Sequence, residues 1–190
     1  MEKYRLFTIV PPDNVEIDII KLRRRIFSTF GLVSAMAFPP IIPLLSLPEY
    51  VSSENARMFI HSGFKGFEII TSGIAHVSSC FFLAVTAERG LHEFIHNLKT
   101  DIKHQFKKKF DPGKETNRLI PAFQGFFLSH NESTCKPEIL INTIEPPDPI
   151  HFSVFSLALI EVTVKSSQEQ WWKHISWEIP LLYRSRKSGR

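Results

Sequence analysis

Two short segments pair an imidazole with a hydroxyl two residues on: Ala75-His76-Val77-Ser78 and Ile150-His151-Phe152-Ser153-Val154. On a β-strand residues i and i+2 point to one face, so each histidine and its serine would enter a cleft together. An unperturbed imidazole titrates near neutrality. Two of them across one groove could act as general base and general acid without a metal, while the hydroxyls hold an anion. The segment around His151 is the better match, because apolar residues flank it on both sides.

Other candidates carry less. His92, His96 and Lys99 share helical spacing, but no glutamate completes an H-E-x-x-H zinc signature, and they read as a solvated helix face. Glu132 and Glu138 lie near His130 and Cys135 in a spacing that matches no zinc pattern, so no metal and no cofactor is expected. The glycines are scattered and no G-K-S/T phosphate loop occurs. Trp171, Trp172 and Trp177 read first as core cover, with a stacking platform for bases as the alternative.

These residues sit in a chain of 190, with 43% hydrophobic and 22% charged residues and seventeen Phe. That is the composition of one globular domain and excludes a disordered or fibrous chain. No apolar run reaches the length of a membrane span, and Met1 to Arg5 lacks the apolar segment of a secretion signal. Two cysteines in no metal or redox spacing fit reduced thiols, so the expected compartment is the cytoplasm. The formal charge of +4 permits an anionic partner without requiring one.

The elements that would position the candidates follow from punctuation and period. A strand over Arg5–Val10 ends at Pro11-Pro12, and a helix carrying Val15, Ile19, Leu22, Ile26 and Phe30 stops at Gly31. Leu32–Phe38 and Ile41–Leu47 read as strands, with Pro43 favouring an edge or a bulge, and a loop follows through Ser52–Asn55. Gly66–Thr71 and Cys80–Val85 read as strands parted by a turn at Ser72-Gly73. A long helix then presents Leu91, Phe94, Ile95, Leu98, Ile102 and Phe106. Leu119–Leu128 is strand-like, Pro137–Ile144 a short helix, His151–Val164 a long strand, and Trp171–Tyr183 a final strand or strand pair. The order predicts a bilobal α+β domain over residues 1–183, built of two related strand-helix-strand halves around a central groove, with a basic tail at 184–190.

The opening Arg5-Leu6-Phe7-Thr8-Ile9-Val10-Pro11-Pro12, the segment Ala35-Met36-Ala37-Phe38-Pro39-Pro40, and Gly73-Ile74-Ala75-His76 before Phe81–Val85 resemble the 2H phosphoesterase superfamily. That group includes 2'-5' RNA ligase-like proteins and cyclic phosphodiesterases. The resemblance spans Arg5 to about Tyr183 and implies a groove between two lobes, lined by two His-x-Thr/Ser motifs that act on 2',3'-cyclic or 2'-5' phosphodiesters. In this sequence the first motif aligns with Ile41 in the histidine position and Pro43 in the hydroxyl position. The second aligns with Ala122 and Gln124. Both imidazoles are replaced, and Gln124 keeps only the capacity to hydrogen-bond an anion.

The expectation is therefore a catalytically degenerate 2H-like protein, a pseudoenzyme that retains binding of a nucleotide, an RNA end or a protein partner, with Gln124 as the binding residue. The alternative is an active metal-independent phosphodiesterase that uses His76, Ser78, His151 and Ser153. A groove filled by Phe and Leu side chains would count against nucleotide binding and for a protein-interaction or purely structural role.

Overall fold

The structure is a computed structural model, and it describes residues 2–47, 51–60, 64, 66–87, 89–106, 123–132, 136–165 and 175–184. Of the predicted tail at 184–190, Arg184 is described and ends the last strand, while residues 185–190 fall outside, as do Trp171, Trp172, Cys135 and Ala122.

Strand β1 (Glu2–Ile9) has Leu6 to Ile9 buried on both faces, as a central strand must. Pro11 and Pro12 end it, and α1 (Asp13–Phe30) starts behind extended Pro12, with Asp13 and Glu16 at the positive end of its dipole. Gly31 closes the helix at φ 69°, where a Cβ would be strained, and its N–H donates to the carbonyl of Phe27. Leu32–Phe38 is not the expected strand. Val33–Met36 forms one 3-10 turn, whose small Ser34 and Ala35 tuck under the neighbouring chain. Next come β2 (Ile42–Leu47) and then α2 (Ser53–Ile60), a helix where a loop was expected.

In the second half, β3 (Phe67–Val77) runs straight through Ser72-Gly73, which form a bulge and not a turn. The reversal falls at Ser78-Ser79, where Ser78 takes a left-handed φ of 55°. Next are β4 (Cys80–Ala87), α3 (Arg89–Phe106), β5 (Gly125–His130) and α4 (Pro137–Thr143). The long strand predicted from His151 is two strands, β6 (His151–Val154) and β7 (Ser156–Val164), parted only by Phe155, and β8 (Ile175–Arg184) is the last.

Two four-stranded antiparallel sheets result, ordered β2-β1-β7-β8 and β5-β4-β3-β6. They are joined twice. Phe155 carries the chain from the edge of the second sheet into the first. At the opposite edges, the N–H groups of Phe127 and Phe123 donate to the carbonyls of Ile41 and Pro43, at 3.1 and 3.3 Å. One apolar cluster lines the helix-facing sides of both sheets. A second fills the space where their other faces meet, with Leu6, Ile41, Ile160 and Val162 from the first half and Cys80, Phe82 and Phe127 from the second.

Candidate functional site: a groove filled with apolar side chains

Ile41 and Pro43 sit where β2 meets β5. Ile41 is buried in the cluster between the sheets, and Pro43 pairs with Thr8 of β1. Pro43 lacks an N–H but costs nothing on that account, because β2 is the edge of its own sheet and offers β5 only a carbonyl.

Opposite them come β5 and the two described residues before it, Phe123 and Gln124. The rings of Phe123 and Phe127 lie against Phe82, at centroid distances of 4.8 and 5.9 Å, so these are the residues turned to the groove. Phe126 and Leu128 belong to the helix side, and Gln124 points that way too, with its Nε2 3.1 Å from Nδ1 of His92 on α3. Gln124, expected at the groove, thus stands on the helix side, beside His92. Between the two phenylalanines stands Gly125. A Cβ there would lie 2.8 Å from the carbonyl oxygen of Leu83 and 3.0 Å from the ring of Phe123, so no imidazole fits without moving backbone. Phe38 completes the plug, edge-on to Phe127 at 5.6 Å. A filling of this kind offers an incoming phosphate no donor and no proton.

The structure does not bring the shifted histidines together. His76 is paired with Phe81, ring on ring at 4.9 Å, on the helix side of the second sheet. Ser78 lies in the turn beyond the strand, so it does not share a face with His76. His151 and Ser153 do share a face of β6, opposite Ile70 and Glu68, and the Ser153 hydroxyl donates to the Glu68 carboxylate. His151 is exposed and on the groove side. From Ile70, its neighbour, to His76 is six residues along β3, roughly 20 Å. The two imidazoles therefore stand at opposite ends and on opposite faces of one sheet.

A different hydroxyl–imidazole pair went unnoticed in the sequence. Ser79 Oγ lies 2.9 Å from Nε2 of His130, where the hairpin of β3 and β4 meets the end of β5. Burial pulls the His130 pKa below its usual value, against the opposing effects of a backbone hydrogen bond at Asn131 and the charge of Glu132. The main chain of His130 exchanges hydrogen bonds with the Ser34 hydroxyl, and the Ser34 N–H donates to Glu132 at 2.7 Å. With its carboxylate engaged in this way, the group fastens the 3-10 turn to β5. Serines and a histidine about 50 or 100 residues apart carry no sequence signal for such a contact.

Among the described residues no three His, Cys, Asp or Glu side chains converge on a metal site, and His92 and His96 lie on the exposed face of α3. Trp177, on β8, is 42% exposed and lies across from Val162, beside the groove face.

The fold, a mixed architecture with two curled antiparallel sheets, is similar to that of solved LigT-like phosphoesterases. Among solved structures the chain is similar to E. coli LigT complexed with 3'-AMP, with TM-score 0.61 and 15% identity over 97% of this chain and 99% of that one. It is likewise similar to TT0787 of Thermus thermophilus, with TM-score 0.63 and 13% identity over 98% and 100%, and to a structure described as a phosphoesterase, with 0.62 and 14% over 97% and 99%. LigT has also been solved with NADP+, ATP and phosphate. No family model matches the sequence, and no curated protein matches it.

Proposed function

We propose that this chain is a catalytically degenerate protein of the 2H phosphoesterase fold, a pseudoenzyme that works by binding a protein partner and not by phosphodiester transfer. The apolar filling supports this: Ile41, Phe82 and Phe127 are buried together between the two sheets, with no titratable side chain among them. What stays open is the rim, where Ile70, His151, Thr86 and Glu68 of the second sheet and Trp177 and Leu182 of the first are exposed. Mixed apolar and polar rims of this kind suit a protein surface. Binding of a nucleotide or RNA end on the same rim is the second reading. It is favoured by the 3'-AMP, NADP+ and ATP in the LigT structures and by Trp177 as a stacking face. The protein is read as one bilobal domain of the cytoplasm, and no described helix is long and apolar enough to cross a membrane.

The deciding experiment is hydrolysis of 2',3'-cyclic nucleotides by the wild type and by His151→Ala, with calorimetric titration of 3'-AMP alongside. The expected result is turnover at the uncatalysed rate in both and no heat of binding at micromolar 3'-AMP. Turnover lost in His151→Ala would instead establish the shifted-histidine phosphodiesterase. Saturable 3'-AMP binding without turnover would select the nucleotide reading.

A further inference from the structure

On the side of the second sheet away from the groove, several buried polar groups stand without partners. Arg23 is 2% exposed on the buried stripe of α1, between Ile19 and Ile26. Its Nε and Nη2 are both buried and neither meets an acceptor among the described residues. These two nitrogens form one edge of the guanidinium, the fork that takes two oxygens of a carboxylate, phosphate or sulfate side by side. Helix α1 packs against β5, and β5 carries Ser129, fully buried, with its hydroxyl also unpartnered. Ser129 pairs with Phe81, and Phe81 with His76, so the three lie in one cross-strand row on the helix side. His76, through its Nε2, and Asn131, through its Oδ1 at the end of β5, each add a buried atom without a partner among the described residues.

Buried polar groups in folded proteins are nearly always satisfied, and an isolated charge is the least tolerable exception. No ion pair among the described residues involves Arg23: the acids in the ion pairs there serve Lys3, Arg5 and Lys21. Burial lowers the Arg23 pKa to about 10, which still leaves a full positive charge at neutral pH. The open groups are a bidentate cationic fork, a hydroxyl and an imidazole, all suited to donating. The side-chain amide of Asn131, turned over, would present its NH2 as well.

We propose that the seam between α1 and β5 binds a small tetrahedral oxyanion of the phosphate or sulfate class, held by the Arg23 Nε–Nη2 fork with the Ser129 hydroxyl as a further donor. The site lies on the opposite face of the sheet from the groove. It is independent of whatever the groove binds.

The test is thermal unfolding of the full chain in sodium phosphate, sodium sulfate, sodium acetate and sodium chloride at matched ionic strength. Phosphate or sulfate at about 100 times its dissociation constant should raise Tm by roughly 5–10 °C over chloride. Arg23→Met, of similar length and no charge, should melt no lower than wild type in chloride and lose the phosphate response. Ser129→Ala should keep the response but need about tenfold more phosphate, the weight of one charge-assisted hydrogen bond. Wild type without a phosphate or sulfate shift overturns the proposal, as does an undiminished shift in Arg23→Met. A larger shift in acetate overturns the tetrahedral assignment. If Arg23→Met fails to fold, an unchanged phosphate midpoint in Ser129→Ala overturns the site by itself.

Discussion

Replacing Phe127 by alanine separates a filled groove from an open one. The Phe127 side chain has no exposure and meets Phe38 edge-on at 5.6 Å and Phe82 at 5.9 Å. A phenylalanine buries on the order of 150–250 Å² of largely apolar surface, which at about 25 cal/mol per Å² is roughly 4–6 kcal/mol as an upper bound. Measured truncations of buried phenylalanine fall at about 3–5 kcal/mol, including the cost of the cavity. Phe127→Ala should therefore lose about 3–5 kcal/mol in urea unfolding, seen as a lower midpoint at an unchanged slope. In the cycle with Phe82→Ala, the coupling should be about 0.5–1.5 kcal/mol for the ring pair. A loss below about 1 kcal/mol would mean that water already reaches the ring. The groove would then be open, and the case against a ligand in it would fall.

Glu161, with its side chain 9% exposed, binds Lys3 at 2.7 Å and Arg5 at 2.8 Å. The hydrogen bond from Lys3, aided by Arg5, holds its carboxyl below the usual value despite the opposing effect of burial. A lowered carboxyl pKa stabilises the fold above the unfolded-state value near 4.5, and that contribution is lost as the pH falls through the folded-state value. Glu161→Gln should cost about 1–2 kcal/mol at pH 7, discounted because Lys3 is 48% exposed, and should flatten acid unfolding below pH 4.5. An equal acid limb in variant and wild type would refute this assignment. Burial pushes the Cys80 thiol up to about 12, so in a Cys135→Ser background iodoacetamide at about pH 8 should label nothing until urea unfolds the chain. Labelling of the native protein would refute the burial of Cys80.

The punctuation of the fold was legible in the sequence. Pro11-Pro12, Gly31 and the Leu91–Phe106 stripe each act through the local backbone or a single helix face, and the structure keeps them where the residues put them. Three features were decided by distant neighbours. The stretch from Leu32 to Phe38 has strand-like composition, but its amides are taken up in a turn and by Glu132, far along the chain. The break at Phe155 depends on which sheet each side joins, and the alternation of His151–Val164 does not record that. In the site, Ile41 and Pro43 fall at the start of the strand read from the residues, and their composition alone shows that they carry no acid–base chemistry. The faces of the second strand were not legible, because Phe123 and Phe126 are equally apolar and a period of two gave no preference.

The place of β7 also sets a timetable for synthesis. β1 pairs on one side with β2, which follows within about fifty residues, and on the other with β7, whose first residue is Ser156. At about 5–20 residues per second, β7 leaves the ribosome roughly 5–20 s after β2. Throughout that interval the β1 side of the first sheet is a naked edge, the kind of surface on which nascent chains recruit one another. Lys3 and Arg5 stand on that edge with their eventual partner Glu161 still unmade. Two unneutralised cations on a bare strand repel a second copy of it. The ion pairs that later seal the seam thus begin as a guard posted before its counterpart exists.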